Sequence, residues 1–257
     1  MTKKQIKKNY ALQIKQLAQN FKLQKNQARE NYQNDLNEFY AANGKKAVVD
    51  PPKRSVLEEV GNAVTHGLGS IFSVFALILM LMRAENTIEV VGACVYFAGL
   101  FIMFTVSCLY HSFRHGSAVK RLFRRFDYSC IYLLIGATFA PILLCYVGGT
   151  FGTTFFIVQW SIIATGVTFV AVFGPSKLKA LHLALYLLLG WSGLLFIPQM
   201  LPQDWVFFAF ILGGGIIYSI GVIPYALKKR ASHFIWHFCV LAGAVVQWIG
   251  VLVSIYA

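Results

Sequence analysis

The sequence predicts an all-α membrane protein, a bundle of seven transmembrane helices with its N-terminus in the cytoplasm and its C-terminus outside. Three observations carry that expectation. Hydrophobic residues make up 57% of the 257 and charged residues only 13%, whereas a soluble domain carries about 25% charge. Seven apolar runs reach the ~20 residues that a helix needs to cross hydrocarbon. The charge is also unevenly placed: residues 1–54 hold 12 of the 23 Lys+Arg and 4 of the 10 Asp+Glu, leaving 11 basic and 6 acidic residues across the remaining 203. A water-soluble globule, a disordered chain and a nucleic-acid-binding domain are all disfavoured, despite the net charge of +13.

The runs are Asn62–Met82, Ile88–Tyr110, Asp127–Val147, Thr154–Phe173, Ala180–Gln199, Trp205–Leu227 and Ser232–Tyr256. Each stops at a charge cluster or a Gly/Pro signal, and the longest connector runs from about His111 to Phe126. None alternates like a strand. Only helices or closed barrels satisfy the backbone in lipid, so the runs read as helices. Trp160, Trp191, Trp205 and Trp236 fall near their ends, as an aromatic belt requires, and Gly213, Gly214 and Gly215 read as a close-packing point.

Counting Lys+Arg by connector sets the orientation. One side receives 12 in the tail, five in the second connector (Arg114, Lys120, Arg121, Arg124, Arg125), two in the fourth (Lys177, Lys179) and three in the sixth (Lys228, Lys229, Arg230). The other side receives Arg83 alone. The positive-inside rule then puts the basic side in the cytoplasm, with Ala257 outside, in a plasma (inner) membrane. That is opposite to a G-protein-coupled receptor.

Residues 1–54 form a basic extension and 55–257 the bundle, with Pro51 and Pro52 at the junction. In the extension Ile6, Tyr10, Ile14, Leu17 and Phe21 recur at helical spacing. They suit either a surface helix drawn to anionic lipid or a solvated tail. The first apolar run starts after residue 60, so a cleavable signal peptide is not expected. The five cysteines lie in apolar stretches without a CxxC pair and read as buried free thiols. Nothing in the sequence sets an oligomeric state.

Ionisable groups inside spans are expensive and mark function by default. Here Glu58, Glu59, His66, His111, Asp127, His182, His233 and His237 all fall at or near the expected cytoplasmic ends of their spans. His233 and His237, four apart, share one helix face and can share a metal. Ser107 and His111 repeat that spacing, as do Asn62 and His66, with Glu59 one turn back, and Asp127 adds a carboxylate at the same depth. Three imidazoles and an open position make a catalytic zinc arrangement, and a nearby carboxylate can orient or deprotonate the water it activates. The bland alternative for any one of these pairs is hydrogen bonding within the bundle; the convergence of four spans favours the metal. His115 and His182 read as interfacial.

Glu59-x-x-Asn62-x-x-x-His66, Ser107-x-x-x-His111, Asp127 within FRRFDYSCIYLL, and His233-x-x-x-His237 together resemble the motif set of the haemolysin III branch of the progestin and adiponectin receptor superfamily. The resemblance covers about residues 55–257 and leaves out the tail. It implies seven helices, an inside N-terminus, and a zinc ion (Zn2+) near the cytoplasmic face with His111, His233 and His237 as ligands. Asp127 would hold or activate the water on the zinc, and Ser107 would support Asp127. Glu59, Asn62 and His66 would serve as structural support around the ligands. Some bacterial members carry a further histidine where this chain has Gln247.

Three functions compete on this reading. The first is a zinc-dependent, ceramidase-like membrane hydrolase of a lipid amide or ester, with membrane lipids as partners and a lipid as substrate. The second is a non-enzymatic regulator or receptor-like protein with a structural zinc. The third is a cytolysin, as the family name suggests, although seven committed helices do not look like a secreted pore-former.

Overall fold

A computed structural model describes residues 2–42, 50–227, 229 and 231–257. The chain divides into two compact units, Met1–Asp50 and Pro51–Ala257. The first unit is one helix, α1 (Lys3–Ala42), with Thr2 to Tyr32 exposed throughout.

The second unit is all helix among the described residues: α2 (Val56–Arg83), α3 (Thr87–Ser112), α4 (Ala118–Pro141), α5 (Gly149–Phe173), α6 (Lys179–Trp191), the short α7 (Ile197–Met200), α8 (Trp205–Leu227) and α9 (Ser232–Ile255). Pro141 has no N–H to continue the α ladder, and α4 passes into a wider π-helical stretch, Ile142–Val147, that ends at Gly148 with φ 61°. A 3-10 segment, Ser192–Phe196, likewise prolongs α6. Counting these extensions, seven helices among the described residues are long and apolar enough to cross a membrane.

Several span starts lie earlier than the apolar runs suggest. Polar residues at a membrane interface still belong to a helix when a side chain caps its free N–H groups. Ser55 caps α2, and Ser55 and Glu58 form a reciprocal capping box, so the helix begins at Val56 instead of Asn62. Ser117 accepts from the Lys120 N–H and starts α4 at Ala118. Asp127 therefore does not open its span; it sits nine residues, or ~14 Å, inside the helix. The connector before α4 shrinks to Phe113–Ser117, so Lys120, Arg121, Arg124 and Arg125 are helical and not loop charges. Lys228 and Arg230, counted with them, lie outside the described residues. Because α5 begins at Gly149, Trp160 sits mid-helix, packed on the Tyr132/Ile163 cluster instead of in a belt.

The interior is held by α3, α4 and α9 against α2, with Tyr96, Leu100, Phe104, Leu143, Phe207 and Val251 at or near zero exposure. Large apolar side chains such as Ile71, Phe75, Ile157 and Ile223 instead point outward, as a lipid-facing surface requires. Of the glycine trio, Gly214 does the packing: a Cβ there would lie 2.3 Å from Gln247 Cγ and 3.0 Å from the Gly243 carbonyl. The five cysteines are free, but only Cys130 is buried and Cys94 is exposed on the outer surface.

Candidate metal centre

At the end of the bundle where α2 and α9 begin and α3 ends, three imidazoles meet. His111 comes from the last turn of α3; His233 and His237 come from the first two turns of α9, on one face because 3.6 residues make a turn. Their ring centroids are 4.6–5.3 Å apart. One nitrogen from each falls within 4.8 Å of the others, and among the described residues this is the one His/Cys/Asp/Glu group so placed. His111 and His237 are each 2% exposed.

The atoms left without partners test whether a metal fits. Glu59 Oε2 lies 2.6 Å from His111 Nδ1 and Asn62 Nδ2 lies 3.3 Å from it. The carboxylate can only accept, so Nδ1 donates to it, and Nε2 is the nitrogen left to face a metal. That Nε2 is buried with no hydrogen-bond partner. Nε2 of His233 and of His237 lie 3.2 Å apart. Two nitrogens each ~2.0–2.1 Å from a tetrahedral zinc are separated by about 3.3–3.4 Å, so the spacing fits. His237 Nδ1 and both nitrogens of His66 are also buried and unpartnered, an unusual density of unsatisfied polar atoms that a cation and water would relieve. The donor set, three imidazoles with a carboxylate behind one of them, suits zinc.

The surrounding residues divide by contact. Glu59 reaches His111 with one oxygen and Lys120 Nζ with the other, at 3.0 Å. Lys120 also donates to the Phe113 carbonyl at 3.0 Å, lies over the Tyr110 ring and is fully buried. The sequence places this lysine among the charges of the second connector. The signal that could have found it is its spacing: seven residues before Asp127 is two turns along the same helix face. Glu58 accepts a hydrogen bond from the backbone N–H of Ala231, two residues before His233. Ala231 has φ 60°, so the carboxylate of α2 helps to hold a left-handed turn that sets the start of α9. His66 does not join the ligand group; it stacks on His237 at 3.8 Å and meets Phe104 edge-on.

Ser107, Asp127, His66, His233 and His237 all line one cavity of about 130 Å³. It continues between α4, α6, α8 and α9 past Leu134, Phe139, Leu187 and Val240 to Gln247. Measured along α9 from His233 to Gln247, the lining extends ~21 Å. Its polar groups gather at the histidine end; the rest is mostly apolar. Gln247 donates to the Ile211 carbonyl at 3.2 Å and so reaches the far end, away from the three histidines. His182 is not interfacial: it is 1% exposed, hydrogen-bonded to Tyr132 Oη at 2.9 Å, and lines the same cavity. The sequence set it near a helix start but could not show that Tyr132 of α4 would cover it. His115 does lie in an exposed turn, bonded to the Pro51 carbonyl.

The fold and this histidine cluster define an integral multi-pass membrane protein of the seven-helix class. Comparison with known proteins narrows it. The family model described as Haemolysin-III related matches residues 54–248. The chain is 36% identical over 202 residues to Hemolysin-3 of Bacillus cereus, covering 77% of this chain and 91% of that protein. It is 32% identical over 203 residues to the Hemolysin-3 homolog of Bacillus subtilis (strain 168), covering 77% and 94%. More distantly, it is 25% identical over 224 residues to Progestin and adipoQ receptor-like protein 1 of Caenorhabditis elegans, covering 77% and 52%. The chain belongs to the haemolysin III family, within the progestin and adiponectin receptor superfamily.

Proposed function

We propose that the protein is a zinc-dependent hydrolase of a lipid amide or ester, with its site near the cytoplasmic face of a plasma (inner) membrane. The observation that carries this reading is that His233, His237 and Asp127 line the polar end of a long apolar cavity, with His111 grouped beside the two histidines. A single-chain amphiphile, with one polar linkage and a hydrocarbon tail, matches that division.

His111, His233 and His237 would hold the metal. Zinc bound there would supply a Lewis acid that polarises a carbonyl and makes water acidic near neutral pH. Glu59 keeps the His111 Nδ1 proton engaged, which fixes the ring and raises the donor strength of Nε2. Asp127 takes the proton from the attacking water, and Ser107, in reach of that carboxylate, holds it in place. The apolar walls from Leu134 to Val240 seat the tail and keep bulk water away from the linkage.

The test is elemental analysis of detergent-purified protein together with hydrolysis of fluorescent N-acylsphingosine and acyl-ester probes. About one zinc per chain is expected, absent from the double variant His233→Ala, His237→Ala, with turnover lost in Asp127→Asn while zinc stays. No metal in the wild type sinks the reading. Zinc with no turnover, and reduced stability on its removal, would leave the structural-zinc regulator. Lysis of erythrocytes by the purified protein would instead transfer to this chain what the names of the Bacillus relatives say of them.

A further inference from the structure

The 40-residue helix α1 is used by none of the chemistry above, and its side chains are sorted more sharply than helical spacing alone requires. Taking about 100° per residue, Ile6, Tyr10, Ile14, Leu17, Phe21 and Tyr32 all project within an arc of roughly 80°. Tyr10, Phe21 and Tyr32 are spaced by 11, and Ile6, Leu17 and Ala28 likewise. An 11-residue period is close to a whole number of helical turns, so the stripe runs nearly straight along the helix instead of winding around it. These apolar side chains are exposed, from 39% for Ile6 to 67% for Leu17.

The charges occupy a different arc. Between Lys3 and Arg29 there are eight basic residues and no acidic one. All but Lys3 fall in an arc of about 100°, from Lys7 and Lys25 round to Lys8, directly beside the apolar stripe. Glu30 and Glu38 fall outside the stripe, among Asn and Gln, whereas Asp35 lies in line with it beyond Tyr32 and ends its apolar part. Between Lys3 and Arg29, Leu12 and Leu23 are the two large apolar residues outside the stripe. One side of the helix is thus apolar and cationic, and the other neutral or acidic.

We infer that α1 is a peripheral membrane helix, lying along an anionic lipid surface with Tyr10, Leu17 and Phe21 in the acyl boundary and the lysine flank on the headgroups. A straight stripe suits a flat surface; the one-sided cations suit acidic headgroups. A second copy of α1 fits less well. Pairing two stripes brings two basic flanks together, with no acidic residue from Lys3 to Arg29 to offset them. Thirteen residues of chain separate α1 from the first membrane-spanning helix, a tether short enough to keep a bilayer within reach.

Hydrogen exchange of the full chain in lipid nanodiscs tests this. In discs with roughly a third phosphatidylglycerol, amides from Ile6 to Arg29 should exchange about tenfold more slowly than in pure phosphatidylcholine, and high salt should erase most of the difference. The variant Leu17→Ser, Phe21→Ser keeps every charge and should lose the protection, while exchange in Pro51–Ala257 stays unchanged as the control for folding. Equal exchange in both lipids overturns the inference. So does protection that survives the double variant, which is charge adsorption without a seated face, or protection in both lipids that appears only with two chains per disc, which is self-association.

Discussion

Glu59→Gln separates the carboxylate's two tasks. The wild-type side chain divides its oxygens between two donors, Oε2 to His111 Nδ1 at 2.6 Å and Oε1 to Lys120 Nζ at 3.0 Å. Glutamine keeps the shape but has one acceptor for two donors, so either the imidazole or the ammonium then faces an NH2 group. Lys120 suffers more, since its side chain is 1% exposed and retains only the Phe113 carbonyl and the Tyr110 ring. Breaking a buried ion pair from one side costs about 3–5 kcal/mol. Loss of the partner behind a metal-binding histidine costs about 10–100-fold in metal affinity. The single variant should therefore lose both thermal stability in detergent and zinc affinity, measured by competition with a chelator. Adding Lys120→Met removes the stranded cation; most of the stability should return, but not the zinc affinity. If Glu59→Gln bound zinc as tightly as the wild type while losing stability, Glu59 would serve the fold alone and its role behind His111 would be refuted.

Four further outcomes follow from the packing. Gly214→Val should destabilise by about 1–3 kcal/mol, because its Cβ collides with Gln247 and the Gly243 carbonyl. Gly215→Ala, with open space at the same point, should change little by the same thermal assay. Ala231→Gly should raise the unfolding midpoint slightly, by removing the ~1–2 kcal/mol that a Cβ costs in the left-handed region against part of that lost to glycine's chain entropy; a fall would mean that the Ala231 methyl packs usefully. His182→Leu should cost about 1–3 kcal/mol by orphaning the Tyr132 hydroxyl, whereas an unchanged midpoint would show that water takes the place of the imidazole.

Much of this protein was legible one helix at a time. Spanning hydrocarbon demands about 20 consecutive apolar residues, a local property, so all seven spans could be counted from the sequence. The pairing of His233 with His237 was equally local, since a four-residue step on a helix keeps one face. That His111 would meet them rested on resemblance and on counting ends, and its 2.6 Å contact with Glu59 crosses 52 residues that no spacing rule links. Span starts were misjudged at Val56, Ala118 and Gly149 because polar interfacial turns are made helical by caps and neighbours, which apolarity does not register. The burial of Lys120, the stacking of His66 on His237 instead of ligation, and the burial of His182 were decided only when helices packed. Hydrophobic length is a property of one segment in lipid, whereas the state of a buried cation or imidazole depends on which partners the other helices bring to it.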